Sequence, residues 1–293
     1  MTNTITTIHQ GEFKDRLFKF IFGKDTEQSK QWRLQLYNKL NDTNYSDPDA
    51  LKLNTIENVI YITMHNDISF LVDSQMNLYE EQSSRNPNMP LRGLLYYSQL
   101  YQIYLTENEK TLITSQLVKI PSPQFVVFYT GTENDPERWT LKLSDSFICE
   151  NKTGDFEWTA TVLNLHPKYT ESLKNDCKPL YDYIQYVYRI KQNQKSGMNK
   201  DEAIEEAVDW AIQKKLLGDF FSIQKAEVIG MSLTEFDEEL CYRTWREDGR
   251  TEKAVEDAMN ALSMKLSADQ VVKITGLPIE KVLELQKSIP VEA

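Results

Sequence analysis

Three polar side chains that could do chemistry stand in two short apolar runs, within the stretch NDISFLVDSQMNLYEEQSS at 66–84. Asp67 begins the first run, and Glu80 and Gln82 lie near the end of the second. A carboxylate inside a strand costs free energy unless it is solvated, paired or bound to a cation. Two interpretations are open at this point: the polar face of an exposed hairpin, or a metal site.

The geometry of a hairpin predicts which of these side chains meet. Successive strand residues alternate between faces, so Glu80 and Gln82 share a face and Glu81 points away. A two-residue turn at 73–74 places Asp67 opposite Glu80 (67 + 80 = 147), with Cβ atoms about 4.5–5.5 Å apart. A two-residue shift places Asp67 opposite Gln82 on the same face, whereas a one-residue slip separates the two carboxylates.

Two carboxylates at that distance repel unless one is protonated or a divalent cation lies between them. Oxygen ligands favour Mg²⁺, with Mn²⁺ as the other choice. The sequence has no CxxC motif and only isolated His residues, which speaks against zinc. A bound Mg²⁺ would activate water and stabilise charge on a phosphoryl oxygen, and the Gln82 amide would orient that water.

The surrounding pattern predicts the elements that position these residues. Amphipathic helices are expected at 11–23, 29–41 and 91–108, and helices dominate from about residue 178 onward. Strands are expected at 58–64, 67–73, 76–82, 116–120, 124–131, 138–147 and 156–165. The segment 267–288 predicts two short helices joined around Gly276, which we interpret as a packing or oligomerisation element rather than a DNA reader.

Composition limits the class of protein. The chain has 293 residues, of which 40% are hydrophobic, which is enough for a sizeable core. The first residues lack a basic region followed by an apolar run, and no stretch approaches the ~18 apolar residues of a spanning helix, so we expect neither secretion nor a membrane. Three widely spaced Cys residues indicate free thiols in a reducing cytoplasm.

The net charge of −11 is unfavourable for binding nucleic acid, because DNA affinity comes largely from neutralising phosphates. The segment 11–40 is the local exception: seven Lys and Arg residues against four Asp and Glu residues give it a net charge of +3. A DNA-facing surface is therefore expected there, with the cations Lys14, Lys19, Arg85 and Arg92 as candidate contacts.

The stretches KDRLFKFIFG, LYEEQSSRNPNMPLRGLLYYSQLY and KIPSPQFVVFYTGT resemble the Rpn family of recombination-promoting nucleases, also labelled transposases. The resemblance spans roughly residues 11–288, and the family belongs to the PD-(D/E)XK nuclease superfamily. It implies an α/β fold: an αβββαβ core with a mixed sheet at 1–175, followed by a mostly helical region at 176–293 that ends in a helix-turn-helix-like segment.

The resemblance also implies roles for individual residues. Asp67 and Glu80 match the two acidic metal ligands, and the backbone carbonyl of Glu81 completes the metal shell. Gln82 stands where the superfamily has Lys, so Arg85 or Arg92 would have to supply the missing positive charge. The implied activity is a Mg²⁺-dependent DNA endonuclease linked to recombination or to defence against mobile elements.

Three alternatives remain open from the residues. Asp15 and Glu57 are candidate auxiliary acids, although solvated surface carboxylates are the simpler interpretation. A non-catalytic DNA-binding or partner-binding protein that keeps the nuclease fold is favoured by the absent Lys and the acidic charge. An unrelated α/β interaction protein with a merely polar hairpin is the weakest rival, and the helical region is a candidate surface for a homo-oligomer.

Overall fold

A computed structural model of the protein describes residues 17–53, 68–72, 74–149, 154 and 156–288. The chain divides into two compact units, Met1–Glu235 and Phe236–Ala293. The predicted division into a nuclease-like domain at 1–175 and a helical region at 176–293 stays a prediction.

The first unit is built on a mixed sheet, so the expected α/β class is confirmed. Its six strands, within the described residues, are β1 (Lys52–Leu53), β2 (Ile68–Val72), β3 (Gln75–Gln82), β4 (Ser122–Tyr129), β5 (Arg138–Lys142) and β6 (Thr159–Asn164). They lie in the order β1-β2-β3-β4-β6-β5. The pairs β1–β2, β2–β3 and β5–β6 are antiparallel, whereas β3–β4 and β4–β6 are parallel.

Eleven α-helices occur in the described residues of the two units. They are α1 (Leu17–Phe22), α2 (Glu27–Asn41), α3 (Met89–Glu107), α4 (Pro167–Thr170), α5 (Leu173–Asp176), α6 (Lys178–Lys195), α7 (Lys200–Gln213), α8 (Phe220–Ile223), α9 (Lys225–Ser263), α10 (Ala268–Thr275) and α11 (Ile279–Ser288). The helical character predicted after residue 178 is confirmed. Helix α3 supplies the long connection that two parallel neighbours such as β3 and β4 require.

The β2–β3 hairpin has the register that the sequence predicted. Ile68 pairs with Tyr79 and Val72 with Gln75, so the paired numbers sum to 147 in both cases (68 + 79 and 72 + 75). Asp67 lies outside the described residues, and its predicted position opposite Glu80 is therefore an extension of this register. The strand predicted at 58–64 also lies outside them.

Helices cover both faces of the sheet. On one face α3 packs over a cluster that includes Leu78, Val127 and Val162, one residue from each of three neighbouring strands. On the other face the ring of Phe18 in α1 contacts Phe128 of β4 and Tyr183 of α6. The alternation of side chains along β3 therefore sends even-numbered residues toward α3 and odd-numbered residues toward the opposite layer.

Most of the predicted elements that fall in the described residues are present, one is wrong, and the strand predicted at 138–147 is shorter than expected, because it ends at Lys142 and Leu143–Ser146 form a 3₁₀ helix. Strand β4 is central, as its apolar run predicted, and α1 ends at Phe22, just before the predicted stop at Gly23. Residues 116–120 form no strand: Leu117 and Ile120 are largely exposed, and Pro121 offers no backbone N–H for a sheet ladder. Residues 116–120 therefore form a loop, although their apolar residues predicted a strand.

The second unit contains the predicted pair of short helices. Gly276 ends α10 with φ 72°, the left-handed conformation that glycine adopts without steric cost. Val271 of α10 and Val282 of α11 are buried with Ala258 near the end of α9. Both short helices thus bury their apolar sides within the unit, as the packing interpretation predicted. In the parts of the chain that the structure describes, no helix combines the length and apolarity needed to cross a membrane.

Candidate functional site

Strand β3 carries two of the three residues that were predicted to be catalytic. Glu80 and Gln82 lie on the face toward α3, where the carboxylate of Glu80 contacts Arg92 of that helix. Glu81 lies on the other face, where its carboxylate accepts a hydrogen bond from Thr130 Oγ1 at 3.0 Å. The predicted alternation of these three side chains is confirmed.

The carboxylate of Glu80 is buried and paired with a cation. Its side chain is 1% exposed, and Arg92 Nη2 donates to Glu80 Oε2 at 3.0 Å. Arg92 reaches inward because it lies in the first turn of α3, and the same nitrogen also donates to the hydroxyl of Tyr96 at 3.2 Å. A cation in this position compensates a charge that would otherwise be costly to bury. Arg92, predicted as a DNA contact, thus neutralises a predicted metal ligand.

The predicted backbone ligand is also hydrogen-bonded. Gln82 Nε2 donates to the carbonyl oxygen of Glu81 at 2.7 Å. This contact directs the amide of Gln82 back along β3, on the side of the strand that faces the loop before α3. The amide is buried, with a residue exposure of 8%.

A pocket of about 260 Å³ opens beside Gln82. Its floor is formed by Val127, Leu141 and Val162 from strands β4, β5 and β6. Two aromatic side chains, Tyr129 and Trp139, also line it, with ring centroids 5.6 Å apart. The loop 83–88 between β3 and α3 forms the rim, and we call this cavity the β3–α3 pocket.

Arg85 lies on the rim of the β3–α3 pocket and is held by Asp135. Its guanidinium forms an ion pair with the Asp135 carboxylate and lies 5.3 Å from the centre of the Trp139 ring. The Arg85 side chain is 55% exposed, whereas that of Asp135 is 15% exposed. Of the predicted DNA contacts in the described residues, Arg85 is therefore the most open to a ligand on the pocket side.

Asp135 is stabilised as an anion by several donors. Tyr129 donates its hydroxyl to Asp135 Oδ2 at 2.9 Å, and Thr132 donates its hydroxyl at 3.1 Å. Burial raises the pKa of Asp135, but these hydrogen bonds and the charge of Arg85 outweigh burial and leave the pKa below its usual value. Burial, together with the bond to Asp135, raises the pKa of Tyr129 to about 12, so the phenol stays a donor at neutral pH.

The basic segment at 11–40 presents less charge to solvent than the sequence suggested. Counting Arg33 in a DNA-facing surface was wrong, because this side chain is 1% exposed and donates to the carbonyl oxygens of Phe22 and Lys24 at 2.7 and 3.3 Å. Burial lowers the pKa of Arg33 to about 10. Arg33 holds the end of α1 in place and cannot reach a phosphate.

The other cations of that segment differ in their surroundings. Lys30 binds Asp49 at 2.7 Å, and Lys39 binds Asp176 at 2.6 Å. Lys19 is half-buried on α1. Lys14, like the candidate acids Asp15 and Glu57, lies outside the described residues.

The donor set fits a hard divalent cation in chemical type. The Glu80 carboxylate and the Glu81 carbonyl are oxygen ligands of the kind that Mg²⁺ prefers, and Asp67 would add a second carboxylate. A cation bound to Glu80 would have to replace the charge that Arg92 supplies. Within the described residues, which omit Asp67, no three His, Cys, Asp or Glu side chains are grouped to hold a metal ion.

The cluster of Tyr129, Asp135 and Trp139 was not predicted as functional from the sequence. Asp135 is the last residue of a turn-like GTEND stretch at 131–135 and carries no spacing signal relative to Arg85, fifty residues earlier. Arg85 follows the end of β3 and Asp135 follows the end of β4, and the parallel pairing of these two strands brings the two residues together. A fold-level contact of this kind has no local signature.

Fold and site together define an α/β protein with a mixed sheet, six strands of which lie in the described residues, and a polar cluster at the end of β3. Comparisons with models of known protein families, with curated proteins and with solved structures give no match.

Proposed function

We propose that the protein is a metal-dependent DNA endonuclease of the PD-(D/E)XK type, which hydrolyses phosphodiester bonds. One observation carries this proposal: the β2–β3 hairpin has the register whose predicted continuation would place Asp67 opposite Glu80, and a pocket opens beside Gln82, on the same face of β3 as Glu80. A buried carboxylate and an amide two residues apart are what the Glu-x-Gln form of the motif requires. The resemblance to the Rpn family points the same way.

The order of elements also supports the proposal. Helices α1 and α2 precede the β2–β3 hairpin, α3 follows it, and β4 returns parallel to β3. This is the sequence of elements expected for an αβββαβ nuclease core, in which the first of the three consecutive β-strands would be the one predicted at 58–64. Ligand sites of open sheets lie at such strand ends, and the β3–α3 pocket has this position.

The proposed roles follow from the surroundings of each residue. Asp67, Glu80 and the Glu81 carbonyl would hold Mg²⁺ or Mn²⁺, which would supply an activated water and stabilise charge on the phosphate. Gln82 positions that water through its amide. Arg85, exposed on the rim of the pocket, contributes the positive charge that Lys supplies elsewhere in the superfamily.

The biological role rests on the family resemblance, which implies DNA breakage linked to recombination or to defence against mobile elements. The proposed cytoplasmic setting rests on the three widely spaced Cys residues of the sequence. Lys19 and Lys14 on the first helical segment would contact the DNA backbone. The helical region after residue 176 is the proposed surface for a homo-oligomer.

A second function, non-catalytic binding of DNA or of a protein partner, is favoured by the Glu80–Arg92 ion pair. A carboxylate neutralised by Arg92 Nη2 at 3.0 Å is stable without a metal ion. Such a site would keep the fold and lose the chemistry. The burial of Arg33 lowers the available phosphate-binding charge for either function.

Nicking of supercoiled plasmid separates the two functions. Wild type, Asp67→Ala and Glu80→Ala are incubated with Mg²⁺, with Mn²⁺ or with chelator, and Glu107→Ala, an exposed carboxylate at the end of α3, is the matched control. The endonuclease predicts metal-dependent nicking that both site variants lose and the control keeps. Shifted plasmid mobility without nicking, equal in all four proteins, would establish the binding function instead.

A further inference from the structure

We infer that the β3–α3 pocket binds one unpaired nucleobase of a DNA strand, and that the substrate is therefore single-stranded or locally unpaired DNA. The inference rests on the proposed nuclease function, since it assigns the substrate class of the same site. Nothing in the Glu-x-Gln motif itself requires this pocket.

The size and lining of the pocket indicate a small flat ligand. Its volume of about 260 Å³ is below the range of about 300–1,000 Å³ that is typical of sites for drug-sized molecules. The floor is apolar, formed by Val127, Leu141 and Val162, and the rings of Tyr129 and Trp139 stand beside it. Aromatic side chains of this kind stack on bases irrespective of sequence. A single ring system of the size of a base matches this space.

The rim supplies hydrogen-bonding groups for the edge of a base. Gln82 and Asn86 carry amides, and Ser84 carries a hydroxyl, so both donors and acceptors surround the opening. Heteroaromatic bases present both donors and acceptors on their edges.

The neighbours of the pocket suit the backbone that is attached to such a base. Arg85 is exposed on the rim, and its partner Asp135 keeps donors from Tyr129 and Thr132 when the guanidinium turns away. The cation of this pair is 55% exposed, so a phosphate can reach Arg85 from the solvent side, and the guanidinium exchanges one anionic partner for another when it turns toward the phosphate. Glu80 lies two residues before Gln82 on the same face, about 6.6 Å along the strand. That distance is within the reach of the nucleotide whose base enters the pocket.

A base that is stacked and paired in a duplex cannot enter a pocket that lies between the loop 83–88 and the sheet. The base must be unpaired beforehand or flipped out of the stack, which is cheapest in single strands and at mismatches. The predicted preference is therefore for single-stranded over duplex DNA of the same sequence.

Binding is measured in the presence of chelator, by fluorescence anisotropy of a labelled 12-nucleotide single strand and of its duplex at low salt. Leu141→Trp fills the floor of the pocket, and Ser84→Trp fills it from the rim. Thr140→Trp is the matched control, because Thr140 is the exposed neighbour of Leu141 on the opposite face of β5. Circular dichroism verifies the fold of each variant, and the two filling variants are independent in case one does not fold.

Wild type is expected to bind the single strand at least tenfold more tightly than the duplex. Each folded filling variant is expected to bind the single strand about tenfold more weakly, and the control is expected to bind it as wild type does. The inference is overturned if wild type binds both DNAs with equal affinity, or if folded filling variants bind the single strand with wild-type affinity. An aromatic side chain of a protein partner would then be the alternative ligand of the pocket. Because no cleavage is measured, a protein that nicks plasmid but shows no such preference refutes the pocket assignment alone. A protein that binds as expected but never nicks refutes only the nuclease.

Discussion

Replacing Arg92 by Met tests whether the buried ion pair with Glu80 stabilises the fold. The change keeps most of the aliphatic length of the side chain and removes its charge. Opposite charges about 4 Å apart attract by about 4 kcal/mol at an effective dielectric constant of about 20. Breaking a buried pair by removing one partner costs about 3–5 kcal/mol, because the other charge remains buried. Glu80 is 1% exposed and Arg92 18%, so we expect a loss of about 3 kcal/mol, at the lower end of that range.

A double-mutant cycle isolates the pair from the rest of the contacts. Wild type, Arg92→Met, Glu80→Gln and the double variant are unfolded in urea at pH 7.5, and tryptophan fluorescence gives the free energy of unfolding of each. The double variant should be more stable than Arg92→Met, because no charge is then left buried. A coupling energy below about 0.5 kcal/mol would refute the assignment of Arg92 as the charge partner of Glu80.

The same variant tests whether Glu80 is a metal ligand. If a divalent cation must displace Arg92 from the Glu80 carboxylate, Arg92→Met should bind Mn²⁺ more tightly than wild type does. The protein is titrated with Mn²⁺ and free metal is followed by electron paramagnetic resonance, with Glu80→Ala as the negative control. Weaker binding by Arg92→Met, in a folded protein, would contradict this competition and assign Arg92 a supporting role instead.

Two further predictions concern groups away from the site. Arg189 Nε donates to Glu206 Oε2 at 2.9 Å, and this hydrogen bond holds the pKa of Glu206 below its ordinary value of 4.5. The stabilisation is fully present above pH 4.5 and is lost as the pH falls through the lowered pKa of Glu206. The urea midpoint of wild type should therefore fall more between pH 7 and pH 3 than that of Glu206→Gln. Because both side chains are about one third exposed, the difference in the free energy of unfolding is limited to about 1 kcal/mol. Burial raises the pKa of the Cys177 thiol to about 11, so at pH 8 only about one Cys177 in a thousand is a thiolate. Iodoacetamide at pH 8 should therefore label the exposed Cys149 well before Cys177 by peptide mapping, and equal labelling without denaturant would contradict the burial of Cys177.

Local patterns in the sequence predicted the parts of the fold that are decided locally. The register of β2 against β3 follows from a two-residue turn and from the alternation of apolar residues, both of which can be read within twenty residues. The same reasoning placed Glu81 on the face opposite Glu80. The wrong strand at 116–120 shows the limit of the method, because an apolar run predicts burial only where the fold provides a surface to cover it.

The partners of the charged side chains could not be predicted, because they depend on how distant elements pack. Arg33 has the spacing of a surface cation on an amphipathic helix, yet α1 and α2 meet so that it binds the carbonyl oxygens at the end of α1. The charge of Arg92 predicted a contact with DNA, but the sequence alone does not give the direction of its side chain. In the first turn of α3 that side chain lies above β3, where Glu80 is the adjacent anion.

The contact between Arg92 and Glu80 bears on which arginine could replace the lysine that is missing from the motif. The guanidinium of Arg92 pairs with Glu80, so it can approach a phosphate only after a metal ion has displaced it from that carboxylate. Arg85 is more exposed than Arg92. Its partner Asp135 also accepts hydrogen bonds from Tyr129 and Thr132, so the carboxylate stays hydrogen-bonded when Arg85 moves away. The two arginines should therefore be separable by experiment: under the proposed function, Arg92 would affect binding of a metal ion, and Arg85 would affect binding of the substrate. The position of Arg85 on the rim of the β3–α3 pocket ties that substrate role to the entry of a base.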